Sequence, residues 1–164
     1  MAKSVAGKTA HYGMFVALAF VFSYIEALIP FSIGFPGIKL GLANVVVLSA
    51  LYALGTKEAF VISVIRIILV GFTFGGMSTM LYSLAGGLLS WAVMAAGRKL
   101  KSFSMTGVSI AGGVSHNIGQ IVVAACVLEN ANLMYYLAIL LITGTITGFL
   151  IGILGGLILR IKLK

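Results

Sequence analysis

The 164 residues of this chain are 61% hydrophobic and 9% charged, with a mean hydropathy of +1.19. A soluble domain of this size could not solvate that surface, and the apolar runs are those of helices rather than a barrel, so composition specifies an all-α integral membrane protein. The formal charge of +8 is gathered at the ends of apolar runs, which points to membrane orientation and away from nucleic acid.

Six transmembrane helices are expected, over roughly 12–29, 39–54, 59–74, 77–97, 105–128 and 133–160. The breaks between them are too short to hold another domain, so residues 1–164 read as one transmembrane bundle. Lys3 and Lys8 precede the first run as in a signal peptide, but the run is long for a cleaved segment and more spans follow, so it is expected to be retained. Within it Gly13 and Ala17 are four apart, as are Ala19, Ser23 and Ala27. Such small residues permit close helix contact, either inside the bundle or with a partner membrane protein.

Between the first two runs, the segment from Pro30 to Lys39 is rich in aromatics and turn formers, with a tight turn at Pro36-Gly37. Phe31 and Phe35 there could cap an outward pocket or anchor the interface. The second and third runs are short for a bilayer core of about 30 Å, which takes about 20 residues, and the sixth is long enough to tilt. Lys3 and Lys8, Lys57, Arg98 with Lys99 and Lys101, and Arg160 with Lys162 and Lys164 all fall on one side of a six-span layout. The excess of basic residues makes that side cytoplasmic, with both termini inside. Lys39 and Arg66 lie outside this pattern and need another cause.

Arg66 sits in an otherwise uncharged apolar run, and a guanidinium does not deprotonate in proteins. Near mid-membrane it costs about 2.5–3.5 kcal/mol on insertion scales, which is tolerated when it faces a protein interior and meets an anion. The chain has no Asp, and its acids are Glu26, Glu58 and Glu129. Glu26, near the outer end of span 1, could pair with Arg66; alternatively Arg66 contacts an anionic ligand. Both hold if Glu26 orients the guanidinium and leaves one fork open. Lys39 could guide a ligand or snorkel to the outer headgroups.

Span 5 carries Ser115-His116-Asn117-Ile118-Gly119-Gln120, with His116 and Gln120 on one helix face and Asn117 beside it. Gly112, Gly113 and Gly119 admit close approach of a ligand or a helix. Counting about 1.5 Å per residue, Arg66 lies about 10 Å along its span, His116 about 16 Å along its own, and Asn44 about 8 Å below the outer surface. These groups could line one pocket open to the exterior, or hold helices together by hydrogen bonds.

Several chemistries are not expected. Cys126 is alone, His11 and His116 are far apart, and no metal or cofactor motif is present. There is no Walker loop for ATP hydrolysis, no aspartate-rich motif to hold Mg²⁺ on a diphosphate, and Ser115-His116 is adjacency rather than a triad.

Four segments then carry a resemblance: Pro36-Gly-Ile-Lys-Leu-Gly-Leu-Ala-Asn44, the Arg66 span, Tyr82-Ser-Leu-Ala-Gly-Gly-Leu-Leu-Ser90 and Gly113-Val-Ser-His-Asn-Ile-Gly-Gln120. In this order the chain resembles the Gx transporter family, often labelled heptaprenyl diphosphate synthase component I. Its layout is similar to the substrate-binding S components of energy-coupling factor importers. That resemblance implies six membrane helices, a pocket near the outer side capped partly by the loop after helix 1, and residence in a prokaryotic cell membrane. It also implies docking of helix 1 on a transmembrane T component, here through Gly13 and Ala17 with Ala10, and ATP use by separate ATPase subunits.

The expected function is therefore non-enzymatic binding of an anionic or polar small molecule. Arg66 would meet its negative group, Asn44, His116, Asn117 and Gln120 would supply hydrogen bonds, and Lys39 and Glu26 would complete the site. The synthase label implies prenyl-chain elongation, whose enzymes resemble one another in aspartate-rich motifs that this chain lacks. It leaves the alternative of a non-catalytic membrane accessory subunit for heptaprenyl diphosphate synthesis. A bundle that only scaffolds a membrane complex is the third possibility.

Overall fold

The structure, a computed structural model, describes residues 5–29, 41–100 and 103–162, and the regular elements among them are all helices. They are α1 (Val5–Leu28), α2 (Leu42–Ala53), α3 (Thr56–Val70), α4 (Met77–Lys99), α5 (Met105–Val127) and α6 (Leu137–Lys162). A π-helical turn, Gly71–Gly75, continues α3, and a 3-10 segment, Ala131–Tyr136, leads into α6. Five of these rods are long and apolar enough to cross a membrane, making a multi-pass membrane protein. The second of the six expected spans is shorter than anticipated: α2 has 12 residues, about 18 Å, and does not reach across a bilayer. Its start is set by Gly41, whose φ of 73° is a left-handed conformation that glycine adopts without a Cβ penalty. The third span is longer than expected, because the helix begins at Thr56 and the π-turn carries it to Gly75. Gly76, at φ 77°, then reverses the chain into α4, and the amide of Gly76 donates to the carbonyl of Gly71 at 3.0 Å.

α2 is apolar all round and buried all round, which is where such a helix must sit. Ala43 and every residue from Val45 to Leu51 are buried, and Leu48 and Leu51 are fully enclosed. Phe15 and Ala19 from α1, Ala59 and Ile62 from α3, Met94 from α4, Val108 from α5 and Ile151 from α6 close around it. α1, α2 and α3 form one mutually packed group; α4, α5 and α6 form a second, with α5 in the middle. The groups meet where α2 touches α6 and where α3 touches α4.

The second group is held by glycine seams. A Cβ on Gly119 would lie 2.8 Å from the Ala85 carbonyl oxygen and 2.9 Å from the Cα of Gly86, so α4 and α5 touch backbone to backbone. On the other side of α5, a Cβ on Gly148 would stand 2.7 Å from Ile110 Cα, and one on Gly152 would stand 2.6 Å from Thr106 Cα. Close approach of this kind replaces the hydrophobic drive that lipid does not supply.

At the end of the bundle where α3 begins, two side chains tie the groups together. Trp91 Nε1 donates to the Thr56 carbonyl at 2.9 Å. Arg98 Nη1 donates to the Leu51 carbonyl near the end of α2, and its guanidinium lies 5.4 Å from the centre of the Tyr52 ring. Arg98 thus satisfies one of the open carbonyls of a helix end and opposes its negative pole. Sequence alone suggested a topology signal at this position, or a basic loop that attracts an acidic partner or anionic lipid, and not a tie to α2.

Adding one methyl group tests the seams. Gly119→Ala and Gly148→Ala are each expected to lower unfolding stability in detergent by about 1–3 kcal/mol through overpacking. Gly156→Ala, where nothing lies within 4 Å of an added Cβ, should cause no loss by the same measurement.

Candidate functional site

Above the start of α2 the two helix groups enclose a cavity of about 280 Å³. α1 contributes Ser23 and Glu26, α2 contributes Asn44, and α3 contributes Arg66 and Ile67. From the second group come Thr79 and Ser83 of α4, His116, Asn117 and Gln120 of α5, and Thr147 and Ile151 of α6. The helices bring these groups to one level. From the end of the bundle where α3 begins, Asn44 is about 14 Å up α2, Arg66 about 15 Å up α3 and His116 about 16 Å up α5. Arg66 is higher than the sequence estimate because α3 starts at Thr56 rather than Ala59. The cavity lies in the half of the bundle away from Lys57, Arg98 and Arg160, which stand at the opposite helix ends.

Arg66 is half-buried on the cavity wall. Its Nη1 lies 3.3 Å from the Ser23 hydroxyl, which itself donates to the Ala19 carbonyl at 2.9 Å. The Ser23 proton is thereby committed to α1, and its lone pairs face the guanidinium. Arg66 Nε is buried and has no hydrogen-bond partner among the described residues. An unpaired buried donor costs about 1–3 kcal/mol, and more when charged, so this atom is held at a deficit.

Glu26 is close enough to act on Arg66 electrostatically. One of its carboxylate oxygens accepts from the Gly41 amide at the start of α2. It therefore does two things: it answers the positive pole of α2 and supplies a negative field beside Arg66. Of the alternatives raised for Arg66 from sequence, the electrostatic partnership with Glu26 is present.

The α5 residues divide their work. Asn117 Nδ2 donates to the Leu140 carbonyl at 2.6 Å, so part of this side chain ties α5 to α6. Gln120 packs its stem against Gly86 and lines the cavity, as does His116. Of the three glycines, Gly112 and Gly119 serve α4, packing on Met94 and Ser90 and on Ala85 and Gly86. Gly113 packs on the Gly144 carbonyl and also lines the cavity.

Lys39 and the rest of the segment from Pro30 lie outside the described residues. Gly13 and Ala17 are not at the cavity; they lie on the exposed side of α1 with Ala10, and nothing stands within 4 Å of a Cβ built on Gly13. Ala19 and Ser23, by contrast, are buried within the bundle.

Sequence reasoning missed Ser23 as a partner of Arg66, the pair Thr79 and Ser83, and the π-turn. Thr79 and Ser83 are four apart on an otherwise apolar helix, a polar stripe that was available to be seen. The π-turn had only the weak signal of Gly71, Gly75 and Gly76. It places Gly71, Phe74 and Gly75 on the cavity wall, and Phe74 packs on Phe20 and Tyr24 of α1 with ring centres 5.7 and 5.5 Å apart. Single π-turns of this kind are often found at functional sites.

A family model described as heptaprenyl diphosphate synthase component I matches residues 15–158. The chain belongs to that family. No curated protein and no solved structure matches it.

The divided roles on α5 can be separated. Asn117→Ala should cost about 0.6–1.7 kcal/mol of stability, the range for interhelical hydrogen bonds in membrane bundles. Gln120→Ala, which has no such bond to lose among the described residues, should leave the thermal unfolding midpoint in detergent nearly unchanged.

Proposed function

We propose that this member of the heptaprenyl diphosphate synthase component I family is a membrane-embedded, substrate-binding subunit, of the S-component type, in an energy-coupling factor importer. The observation that carries this reading is the cavity: ten polar residues from six helices converge on it, with one Arg66 donor left buried and without a partner among the described residues. Polar groups at membrane depth are costly, and a cluster of them facing one space marks a ligand path. An anionic or polar small molecule enters from outside; Arg66 meets its negative group, and Asn44, His116 and Gln120 orient it. With the basic helix ends in the cytoplasm, both termini are inside and the cavity is on the outer side of a prokaryotic plasma membrane.

The chain does no chemistry in this scheme. Gly13 and Ala17, on the exposed face of α1, dock on a transmembrane T component, and separate ATPase subunits drive release inward. A second reading rests on the family's description as a synthase component: a non-catalytic membrane subunit that presents lipid substrate or tethers a soluble enzyme.

The test uses the gently purified full-length protein and native mass spectrometry. The importer reading expects a small-molecule cargo that Arg66→Ala abolishes while the variant keeps its melting temperature and its helical signal. Co-purification with an ATPase module supports it. Normal uptake by Arg66→Ala cells sinks it, and co-purification with a prenyl synthase whose activity needs this chain establishes the second reading instead.

A further inference from the structure

We infer that the guest is an oxyanion whose body carries neutral hydrogen-bonding groups, amides or hydroxyls: Arg66 holds the anionic end, and Thr79, Ser83 and Gln120 read the body. This deepens the binding role proposed above and rests on it.

The free edge of the guanidinium sets the anionic end. Nη1 is directed at Ser23. The donors left are Nε and Nη2, which point in parallel from one edge of the plane and match two oxygens of a carboxylate or a phosphoryl group. Nε is buried and without a partner among the described residues, so an oxyanion on this edge supplies a missing bond.

The second helix group sets the body. Four hydroxyls line the cavity, those of Ser23, Thr79, Ser83 and Thr147. A hydroxyl on a helix can satisfy itself at a carbonyl one turn back along its own chain. Ser23 does so at Ala19, and Thr147 does so at Gly144 at 3.4 Å. Thr79 and Ser83 make no such bond among the described residues, and neither does the amide of Gln120. The three are neighbours. Thr79 and Ser83 lie one turn apart on α4, and the seam of Gly119 on Ala85 and Gly86 brings Gln120 of α5 against the same stretch of α4. Together they present two hydroxyls and an amide, all able to donate and to accept.

Such groups are costly at membrane depth when left unpaired. A guest with amides or hydroxyls pairs them, whereas an apolar body of the same size buries them empty. Arg66 belongs to the first helix group and the three neutral residues to the second, so the guest bridges the cavity from one group to the other. Phe74 and Met80 add apolar wall, which accepts a short apolar portion as well.

The experiment places full-length protein in lipid nanodiscs near neutral pH and uses three matched probes. Hippurate has an acid and an amide; hippuramide replaces the acid with a neutral amide; γ-phenylbutyrate replaces the amide of hippurate with methylenes. Binding is read by calorimetry and by the shift in melting temperature. Hippurate is expected to bind about tenfold more tightly than either of the others. Thr79→Val, Ser83→Ala and Gln120→Met combined keep much of the wall's shape and remove its hydrogen bonds. This variant should weaken hippurate about tenfold, to the level of γ-phenylbutyrate, and leave γ-phenylbutyrate and the unfolding midpoint unchanged. Ser83→Ala alone, the mildest change to the wall, should carry about threefold of that loss. Arg66→Ala should weaken hippurate and γ-phenylbutyrate alike. The phosphonate analogue of hippurate runs beside them; tighter binding by either head, lost in Arg66→Ala, supports the proposal and names the oxyanion.

Hippurate and γ-phenylbutyrate bound equally, both weakened by Arg66→Ala, overturn the reading of the body and leave the binding role intact. A preference for hippurate that survives the combined variant and Ser83→Ala does the same. Hippuramide bound as tightly as hippurate, in wild type and in Arg66→Ala, overturns the hold on the anion and the binding role built on it. Failure of every probe to bind overturns the inference, while the cargo search by mass spectrometry judges the binding role separately.

Discussion

A guanidinium that keeps its proton stands about 15 Å along α3, and the rest of the molecule is arranged around its unfinished pairing. Ser23 takes one donor, Glu26 supplies a nearby negative field, and Nε is left without a partner among the described residues. A protein selected for stability alone would have an apolar side chain here, because a well-packed hydrophobic residue commonly matches or exceeds a buried ion pair. Local rules are broken most readily where function requires it. In the proposed function, the half-satisfied state of Arg66 is the feature that would separate a binding bundle from a scaffold.

The cavity beside Arg66 follows from the length of α2. Apolar helices that cross a bilayer need about 20 residues, and α2 has 12. It fills the half of the bundle nearest the basic helix ends, where Leu48, Leu51 and Ile62 are fully enclosed. Its first residues, with Gly41 and Asn44, form the floor of the cavity. Arg98 fixes the far end of α2 through the Leu51 carbonyl, and Glu26 fixes the near end through the Gly41 amide. The floor is held at both ends by charged side chains, while the walls of α4, α5 and α6 are set by backbone contacts at Gly119, Gly148 and Gly152. A rigid second group and a pinned floor give the polar side chains a fixed frame, which is what selective binding requires.

Much of this was legible in the residues. Run lengths and glycine breaks located the five helices of membrane length and the shorter apolar α2, which had been expected as a sixth span, because apolar length and turn chemistry are local properties. Arg66, Glu26, Asn44, His116, Asn117 and Gln120 were singled out by their cost at membrane depth, and they line one cavity. What was not legible depends on tertiary contact. The start of α2 at Leu42 requires Glu26 to reach the Gly41 amide across 15 residues of chain. The role of Arg98 depends on α4 returning to the end of α2, and its position among other basic residues concealed it. Asn117 illustrates the ambiguity best: the same amide that looked like a ligand contact also staples α5 to α6 at Leu140, and one-dimensional spacing cannot divide those roles.

The family's description as a synthase component and the geometry of the cavity make different demands. Prenyl-chain elongation must hold a diphosphate of several negative charges, and without aspartate this chain has no aspartate-rich set to hold the Mg²⁺ that would neutralise it. Within the cavity, Arg66 and Glu26 stand close enough to act on each other electrostatically. A cavity of about 280 Å³, just under the range that encloses drug-sized ligands, is also too small to enclose a long polyprenyl chain.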